Sequence, residues 1–295
     1  MHIMRNKIVL ITGATGGIGK ATATELAMKG YHVIIHGRDE QKTKGVQREI
    51  ITATGNKNVD IVTADLFLMK EVKKMANFVS AKYPILDVLI NNAGVMMNKK
   101  REETAEGIEK TIALNLIAPY LLMTALLPNL QKSDNGRIVN LSSSAHKQDA
   151  KPDFDDMMSE KHYDPRVVYG NAKLFIILLS QKISSLMWTC KVNHVTINEM
   201  HPGAVASNFS VASDLGWFLN FLLKLARPFF RSPEKGAETA VYLASSPDVE
   251  KISGEYFTDC EVAEVGSKYN KPTNEKKVLE WCESITETPF VVTSP

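Results

Sequence analysis

The stretch Thr12-Gly13-Ala14-Thr15-Gly16-Gly17-Ile18-Gly19 decides the fold of this chain. It follows a short apolar run, Ile8 to Ile11, and leads into a segment with helical periodicity, Ile18 to Lys29. A glycine-rich turn between a strand and a helix places backbone N–H groups and the helix N-terminus where they can receive a pyrophosphate. Gly13 and Gly19 lie six residues apart, whereas a Walker A loop needs a spacing of five, so the pattern favours a dinucleotide site.

Short β-branched runs alternate with longer helical segments along the chain, which is typical of a parallel sheet with helices on both faces. The predicted strands are Ile8 to Ile11, His32 to His36, Val59 to Thr63, Val88 to Ile90, Arg137 to Leu141, Asn193 to Asn198 and Gly254 to Phe257. The predicted helices are Ile18 to Lys29, Gln41 to Ala53, Lys70 to Lys82, Thr104 to Leu127, Val167 to Met187, Pro233 to Ala244 and Asn274 to Ile285. We therefore expect an α/β, Rossmann-type doubly wound parallel sheet of six to seven strands in a single domain, residues 1–295.

Two regions interrupt this alternation: Ala145 to Arg166, which is polar, and Val211 to Arg231, which has an apolar helical pattern. In open α/β sheets the ligand lies beyond the carboxyl ends of the strands, where such insertions can cover it. Both regions are predicted to be walls of the site, and the second is predicted to be a substrate lid around residues 211–231. The alternative for the lid is a helix that lies on a membrane surface or binds a partner. Residues 261–295 are predicted to form a C-terminal tail that contains one short helix.

The composition argues against several classes of function. The 295 residues include 35 basic and 33 acidic side chains, a formal net charge of +2, which lacks the basic excess of nucleic-acid-binding proteins. Cys190, Cys260 and Cys282 have neither the spacing of a disulfide framework nor that of zinc ligands. We therefore expect no nucleic-acid partner, no metal site and a cytoplasmic location.

Membrane insertion is not predicted. The apolar runs Leu174 to Leu179 and Leu215 to Leu223 are far shorter than the roughly 18 to 20 residues that span a bilayer. The start of the chain, MHIMRNK, leads directly into the first strand rather than into a signal peptide. We therefore expect no transmembrane segment, with peripheral membrane contact through the lid as the alternative.

The end of the second predicted strand indicates which cofactor is preferred. An acidic residue about 20 positions after the glycine loop normally accepts the ribose 2′-hydroxyl of NAD. Gly37 leaves that position empty, and Arg38 offers a guanidinium that suits a 2′-phosphate in charge and geometry. NADP is therefore favoured. The alternative is that Arg38 is a solvated surface charge and that Asp39 binds the ribose, which would restore NAD.

Four motifs, in this order and spacing, resemble the short-chain dehydrogenase/reductase family. They are the glycine-rich turn of residues 12–19, Asp65-Leu66 after the third strand, Asn91-Asn92-Ala93-Gly94 after the fourth, and Tyr169-Gly-Asn-Ala-Lys173 on a helix. The resemblance covers residues 7 to 260. The phrases RIVNLSSSAH, SPEKGAETAVYLA and SGEYFTDC are most similar to the retinol dehydrogenase-like branch, which suggests carbonyl or alcohol chemistry on apolar molecules.

The resemblance implies a set of site residues. The implied catalytic residues are Asn115, Ser143, Tyr169 and Lys173. The implied cofactor-binding residues are Gly13, Thr15, Gly16, Gly17, Ile18, Gly19, Arg38, Asp65, Leu66, Asn92, Ala93, Gly94, Tyr169, Lys173, Pro202, Gly203, Val205 and Ser207. Ser207 stands where the family usually has a threonine. Gly16 stands where NADP-using relatives often have a basic residue, so a 2′-phosphate would depend mainly on Arg38.

The residue types explain the implied chemistry. Tyr169 and Lys173 lie four residues apart and therefore on one face of a helix. A phenol with an ordinary pKa of about 10 is a poor base at neutral pH, but the ammonium of Lys173 and an oxidised nicotinamide favour its phenolate. Tyr169 would then be the acid in reduction and the base in oxidation. Ser143 would hydrogen-bond the reacting oxygen, Lys173 would hold the nicotinamide ribose, and Asn115 would place a water.

Ser143 is the middle member of the run Ser142-Ser143-Ser144, and alignment with the NLSS phrase selects it. Strand alternation predicts that its two neighbours point away from it.

The histidines are not predicted to bind a metal, because their spacing does not match a ligand set. His146, His162 and His201 are interpreted as polar loop residues that border the site at most, and His32 and His36 as strand-surface residues.

The predicted function is an NADP(H)-dependent oxidoreductase that transfers a hydride between nicotinamide and an apolar aldehyde, ketone or alcohol of retinoid, steroid or lipid type. One alternative is a catalytically silent NADP(H)-binding sensor or interaction protein, which would have no chemical need for the complete catalytic set. Another is a membrane-surface protein that uses residues 211–231. The resemblance also implies a homo-oligomer, although the C-terminal tail can block one of the usual interfaces.

Overall fold

One sheet of eight strands organises the part of the chain that the structure, a computed structural model, describes, namely residues 5–203 and 231–292. The strands are β1 (Ile8–Ile11), β2 (His32–Gly37), β3 (Val59–Thr63), β4 (Val88–Asn91), β5 (Gly136–Leu141), β6 (Val195–His201), β7 (Tyr256–Thr258) and β8 (Glu261–Ala263). Their order is β3-β2-β1-β4-β5-β6-β7-β8; β1 to β7 are parallel, and β8 is antiparallel to β7. The strand order reverses between β1 and β4, and their carboxyl ends therefore open a crevice of the kind in which such sheets bind ligands.

Helices cover both faces of this sheet. They are α1 (Gly17–Met28), α2 (Glu40–Thr54), α3 (Met69–Lys82), α4 (Lys110–Leu130), α5 (Ala145–Gln148), α6 (Pro165–Thr189), α7 (Pro233–Ser245) and α8 (Pro272–Thr286). One apolar cluster joins α1, α2 and α7 to one face, and a second joins α3, α4, α6 and α8 to the other. The central strands are therefore buried on both sides, as their apolar sequences require. The predicted Rossmann-type fold is confirmed.

Helix α4 begins later than predicted. Its expected start was Thr104, but residues 104–109 form a turn in which Gly107 has φ +78° and the Thr104 hydroxyl accepts two backbone N–H groups. The carboxylate of Glu109 then caps the helix, which starts at Lys110. The turn interrupts the helix because these local hydrogen bonds compete with helical ones.

Helix α4 also exceeds the apolar runs that the sequence analysis measured. Its 21 residues are long and apolar enough to cross a membrane by length and composition, the one helix among the described residues that is. However, 78% of its apolar window is buried inside the fold. A helix that is buried on all sides in a protein core is apolar all round, so it has the same composition as a membrane-spanning helix.

The predicted C-terminal tail contributes to the sheet and to the core. Strand β8 and the short helix α5 were not predicted, because three or four residues carry too little periodicity. Helix α8 buries Val278, Leu279 and Cys282 against α6. Beyond α8, the Tyr120 hydroxyl of α4 donates to the carbonyl oxygen of Thr288. The tail therefore covers part of the α4 and α6 surface.

Asp87 ties the start of the chain to the sheet. Its buried carboxylate accepts two hydrogen bonds from Arg5, at 2.6 and 2.7 Å, one from the backbone N–H of Ile8 at 2.7 Å and one from Ser133 at 2.6 Å. Burial alone would raise the pKa of Asp87, but these hydrogen bonds outweigh burial and lower it.

Replacing Asp87 with Asn should lower the free energy of unfolding by about 1.5–3 kcal/mol near neutral pH, because charge-assisted hydrogen bonds to a buried carboxylate are lost. Since the folded-state pKa is lowered, this contribution is complete above the unfolded-state pKa and is lost as pH falls through the folded-state pKa. Denaturant unfolding of both proteins at decreasing pH should show the difference shrinking in acid. Asp134→Asn, at an exposed position, is the control. A difference that stays constant into acid would contradict the assignment.

Candidate active site

A cavity of about 820 Å³ lies at the carboxyl ends of the central strands. The sequence-predicted residues that line it are Gly13, Thr15, Gly16, Gly17, Ile18, Gly19, Arg38, Asp65, Leu66, Asn92, Ala93, Gly94, Ser143, Tyr169, Lys173, Pro202 and Gly203. Lining residues that were not assigned to the site include His36, Lys42, Phe67, Val95, Met97 and Leu114. Val205, Ser207 and the predicted lid, except Arg231, lie outside the described residues.

The glycine-rich turn is held against the end of β4. Asn92 Nδ2 donates to the carbonyl oxygens of Thr12 at 2.7 Å and Gly13 at 3.1 Å, and the Thr12 hydroxyl accepts the backbone N–H of Asn92 at 2.9 Å. Gly13 has φ +64°, and a Cβ on Gly19 would lie 2.4 Å from Asn92 Nδ2. Both positions therefore require glycine.

The N-terminus of α1 suits a phosphate group. The helix begins at Gly17, its N-cap is Gly16, and no side chain caps it. Uncapped N–H groups at a helix N-terminus that borders a cavity attract an anion through their donors and through the helix dipole. The residues at this end of the cavity therefore fit the pyrophosphate of a dinucleotide.

His36 is buried, so its assignment to the strand surface was wrong. The backbone N–H of Gly13 donates to His36 Nδ1 at 3.1 Å, and His36 Nε2 donates to the carbonyl oxygen of Ala64 at 3.1 Å. These contacts require a neutral ring with its proton on Nε2, and burial lowers the pKa of His36. Strand alternation could not reveal this role, because both faces of β2 are covered. His32 is partly exposed and contacts Asp60, as a strand-surface residue does.

The end of β2 has no room for an acidic side chain at position 37. A Cβ on Gly37 would lie 2.2 Å from Thr43 Oγ1 and 2.3 Å from Thr15 Cγ2. Asp39, the alternative ribose ligand, instead caps α2, because its carboxylate accepts the backbone N–H of Lys42 at 2.7 Å.

Two cationic side chains border this end of the cavity. Arg38 was predicted there, whereas Lys42 was not. The position of Lys42 in the sequence could have indicated this, because it follows Arg38 by four residues and lies in the first turn of α2. Together they place positive charge where the loop after β2 meets the cavity.

Helix α6 carries Tyr169 and Lys173 and is fastened to the end of β5. The Ser142 hydroxyl donates to the carbonyl oxygen of Lys173 at 2.9 Å, and Lys173 Nζ donates to the carbonyl oxygen of Leu141 at 2.7 Å. Lys173 Nζ also lies 5.7 Å from the centroid of the Tyr169 ring. The Ser143 side chain interacts with the Tyr169 phenol and favours its ionised form. Three of the four predicted catalytic residues, Ser143, Tyr169 and Lys173, thus border the same cavity.

All three serines border the cavity, and the prediction that Ser142 and Ser144 point away from Ser143 stays a prediction. Strand β5 ends at Leu141, so the serines lie in a turn in which the two-residue alternation of a strand no longer holds. The serines differ in their hydrogen bonds, because the Ser142 hydroxyl donates to the Lys173 carbonyl oxygen.

Burial dominates the electrostatics of Tyr169 and Lys173. Burial raises the pKa of Tyr169, and the interaction with Ser143 opposes this by less. Burial also lowers the pKa of Lys173 to about 8, against the opposing charge of Glu199. In the protein without cofactor, the phenol is therefore held protonated, which is opposite to the shift expected from Lys173. A protonated phenol is suited to giving a proton, the role required in reduction.

Asn115 lies behind the cavity wall. It belongs to a π-turn of α4, Ala113–Ile117, and its Nδ2 donates to the carbonyl oxygens of Thr111 at 2.7 Å and Val95 at 2.8 Å. A Cβ on Gly94 would lie 2.8 Å from Asn115 Oδ1 and 3.3 Å from Lys173 Nζ. A larger residue at position 94 would therefore collide with the Asn115 side chain and crowd Lys173. Single π-turns inside α-helices are frequent at functional sites.

Glu199 is a buried carboxyl that the sequence analysis did not single out. It accepts hydrogen bonds from Asn140 Nδ2 at 2.9 Å and from the Ser180 hydroxyl. Burial raises the pKa of Glu199, against these hydrogen bonds and the charge of Lys173. The available signal was an acidic residue directly after the predicted strand Asn193 to Asn198, which the structure extends to His201 as β6.

Comparison with known proteins identifies the family. The short chain dehydrogenase family matches residues 7–215 of this sequence. The chain belongs to that family. Human retinol dehydrogenase 11 is 37% identical over 274 residues, which cover 93% of this chain and 84% of that protein. Human polyprenol dehydrogenase is 33% identical over 284 residues, which cover 94% of this chain and 84% of that protein.

Mouse retinol dehydrogenase 14 is 36% identical over 281 residues, which cover 89% of this chain and 80% of that protein. These relatives place this short chain dehydrogenase in the retinol dehydrogenase-like branch. The chain is therefore an oxidoreductase of a family that binds a nicotinamide cofactor. The glycine-rich turn and the uncapped α1 N-terminus fit that cofactor.

Solved structures share the fold. A Mycobacterium paratuberculosis protein of uncharacterised function superposes with a TM-score of 0.76 at 25% identity, covering 97% of this chain and 95% of that one. A short chain dehydrogenase from Escherichia coli, solved in complex with NADPH, has a TM-score of 0.67 at 23% identity, covering 86% of this chain and 97% of that one.

Replacing Gly19 with Ala should weaken dinucleotide binding by about tenfold or more, because the new Cβ would lie 2.4 Å from Asn92 Nδ2 and 2.6 Å from the Gly13 carbonyl oxygen and would force the turn away from β4. Fluorescence titration with NADPH measures the affinity, and a thermal melt checks that the variant is folded. The matched control is Gly45→Ala in α2, where a Cβ meets open space, and its affinity should not change. Equal affinity in the Gly19 variant and the control would refute the fit.

Proposed function

We propose that this short chain dehydrogenase is an NADP(H)-dependent oxidoreductase that transfers a hydride between nicotinamide and an apolar aldehyde, ketone or alcohol of retinoid, steroid or lipid type. The observation that carries the proposal is the convergence of Ser143, Tyr169 and Lys173 on one cavity, whose other end is formed by the glycine-rich turn and Arg38. A dinucleotide that spans this cavity would bring its reactive end to the catalytic groups.

Three observations at the end of β2 support a preference for NADP. Gly37 has no room for the side chain that would accept a ribose 2′-hydroxyl. Asp39 is engaged as the cap of α2. Arg38 and Lys42 border the same end of the cavity, and a guanidinium with an ammonium suits a 2′-phosphate.

The substrate class is supported by the cavity wall and by the relatives. Apolar side chains of Met97, Leu114 and Val95 line the cavity. The relatives are named retinol and polyprenol dehydrogenases, after alcohols with long apolar chains. Apolar residues in the same cavity as Ser143 favour a substrate that has one polar oxygen and an otherwise apolar body.

Tyr169 supplies the proton in the proposed mechanism. In reduction its phenol gives a proton to the substrate oxygen, and in oxidation its phenolate takes one. Ser143 holds that oxygen by a hydrogen bond and so fixes it beside the phenol. Lys173 has three N–H donors, of which one goes to Leu141, and the others are suited to ribose hydroxyls and to stabilising the phenolate. The cofactor, when bound, supplies or accepts the hydride.

A catalytically silent NADP(H)-binding sensor is the second candidate. It would need the glycine-rich turn and the cationic pair Arg38 and Lys42, but neither Tyr169 nor Ser143. The two candidates therefore differ in whether loss of the phenol hydroxyl changes turnover.

Tyr169→Phe should abolish detectable turnover while leaving NADPH affinity within about threefold of wild type, since only the proton donor is removed and general acid catalysis contributes about 10²–10⁴-fold. Nicotinamide absorbance with a panel of apolar aldehydes and ketones measures turnover. Tyr163→Phe, in which a tyrosine outside the cavity lining loses its hydroxyl, is the control. Wild-type protein that binds NADPH tightly and reduces none of the panel would favour the sensor.

Arg38→Ala and Lys42→Ala should each weaken NADPH binding by about 10- to 100-fold, the loss of one charge-assisted hydrogen bond, and should change NADH binding far less. Titration of each variant with both cofactors gives the ratio. Lys44→Ala is the control, because this exposed lysine pairs with Glu40 rather than with the cavity. Equal losses for the two cofactors would show that the pair does not recognise a 2′-phosphate.

The cytoplasmic location, the homo-oligomer and the peripheral membrane contact of residues 211–231 stay predictions. Because α8 covers part of α4 and α6, a homo-oligomer formed through those two helices would have to displace it.

A further inference from the structure

His146 lies three residues after Ser143, in the short helix α5. It was expected to be a polar loop residue, but it is only 1% exposed, because α5 packs beneath the C-terminal segment 264–266. Its Nδ1 faces the carbonyl oxygen of Ser143, and its Nε2 faces the carbonyl oxygen of Val265 at 2.8 Å. The ring therefore bridges the catalytic turn and the C-terminal segment.

Both partners of this ring are hydrogen-bond acceptors. A neutral imidazole has one N–H, so it can donate to one carbonyl oxygen and must turn a lone pair toward the other. Only the imidazolium satisfies both. Burial nevertheless lowers the pKa of His146, although the carbonyl oxygens of Ser143 and Val265 oppose this. The charge state of the ring thus decides whether one contact or both are made.

Few other groups around His146 carry charge. On its own helix, the ammonium of Lys147 disfavours a second positive charge. Tyr256 of β7 contacts the ring edge-on at 5.0 Å between centroids, and burial raises its pKa to about 12. His201 of β6 lies within electrostatic reach, and burial lowers its pKa to about 4. Tyr256 and His201 are therefore neutral near neutral pH, and the ion pair of Arg231 and Asp259 acts electrostatically on His201.

Lys147 makes a second contact with the same segment. Its Nζ donates to the carbonyl oxygen of Glu264 at 2.6 Å and lies 5.5 Å from the centroid of the Tyr256 ring. Two consecutive side chains that follow the serine turn thus hold consecutive carbonyl groups of segment 264–266. This double contact leaves the segment little freedom to move independently of the turn.

We propose that His146 is a positioning residue that fixes the Ser143 turn against segment 264–266 and holds it most firmly as the imidazolium. The role rests on the proposed function, since Ser143 is the group that is positioned. As pH rises through the pKa of His146, one of its two contacts is lost, the turn is held less firmly, and kcat for reduction should fall.

Two variants separate the two contacts. His146→Asn places an amide N–H donor at the position of Nδ1 and so keeps the contact with Ser143. His146→Gln reaches to the position of Nε2 and keeps the contact with Val265. His194→Gln is the control, because His194 donates to one carbonyl oxygen, that of Gln131, in another part of the sheet.

The first measurement is kcat and KM against pH, with NADPH and an aldehyde from the panel that the wild-type enzyme reduces. Thermal melts of each protein accompany it. We expect His146→Gln to lower kcat by about 10- to 100-fold with little change in KM, the cost of a misplaced catalytic group. His146→Asn should retain more of kcat, and both should lose the ionisation in the acidic part of the profile. If kcat follows only the melting temperature, or if the two variants keep the wild-type pH profile, the proposal is overturned.

The second measurement needs no turnover and therefore separates this proposal from the proposed function. In the full-length chain labelled with ¹⁵N, the His146 ring should titrate below the ordinary histidine pKa, and the backbone amide signals next to Ser143 and Val265 should shift with it. A ring that keeps one tautomer while those amides stay unchanged would overturn the proposal even in an active enzyme. The predicted shifts in an inactive protein would support it and would place the failure in the proposed function.

Discussion

The attachment of helix α6 to the end of β5 is the constraint on which the site depends. Lys173 Nζ donates to the Leu141 carbonyl oxygen, and the Ser142 hydroxyl donates back to the Lys173 carbonyl oxygen, so helix and strand are joined in both directions. Gly170 lets the same helix approach α5, because a Cβ there would lie 2.8 Å from the backbone nitrogen of Ala150 and 2.9 Å from the carbonyl oxygen of Ala145. With the helix fixed in this way, Tyr169 borders the same cavity as the serine turn.

Burial links the geometry of the site to its chemistry. The parallel sheet is covered on both faces, so charged groups at its centre are poorly solvated and their pKa values move toward the neutral form. The same cause raises the pKa of Tyr169, lowers that of Lys173 and raises that of Glu199. Burial by itself thus favours the protonated phenol, and in the proposed mechanism the stabilisation of a phenolate would fall to Lys173 together with a bound cofactor.

The regular part of the fold was predictable because apolar periodicity extends over whole elements. All seven predicted strands and all seven predicted helices are present, with their ends shifted by a few residues and the start of α4 shifted by six. The failures are local. Hydrogen bonds of the Thr104 side chain delay α4, and β8 and α5 are too short to show a period. His36 and His146 were misplaced for a common reason: a histidine in the sequence does not reveal that two layers close over it.

The sequence by itself determined the sheet class and the need for glycine in the turn after β1, because apolar periodicity and the steric requirements for glycine are local properties. The predicted catalytic roles of Tyr169 and Lys173 came from the resemblance of their motif to the short-chain dehydrogenase/reductase family. Only the tertiary structure decided what those residues experience. The closure around Gly37, the use of Asp39 as a helix cap, and the addition of Lys42 to the cavity depend on side chains brought together from different elements. The pKa shifts and the bridge made by His146 depend on burial and on pairs of carbonyl groups more than a hundred residues apart, as with Ser143 and Val265. A linear pattern does not contain this information, since desolvation arises only when the layers pack.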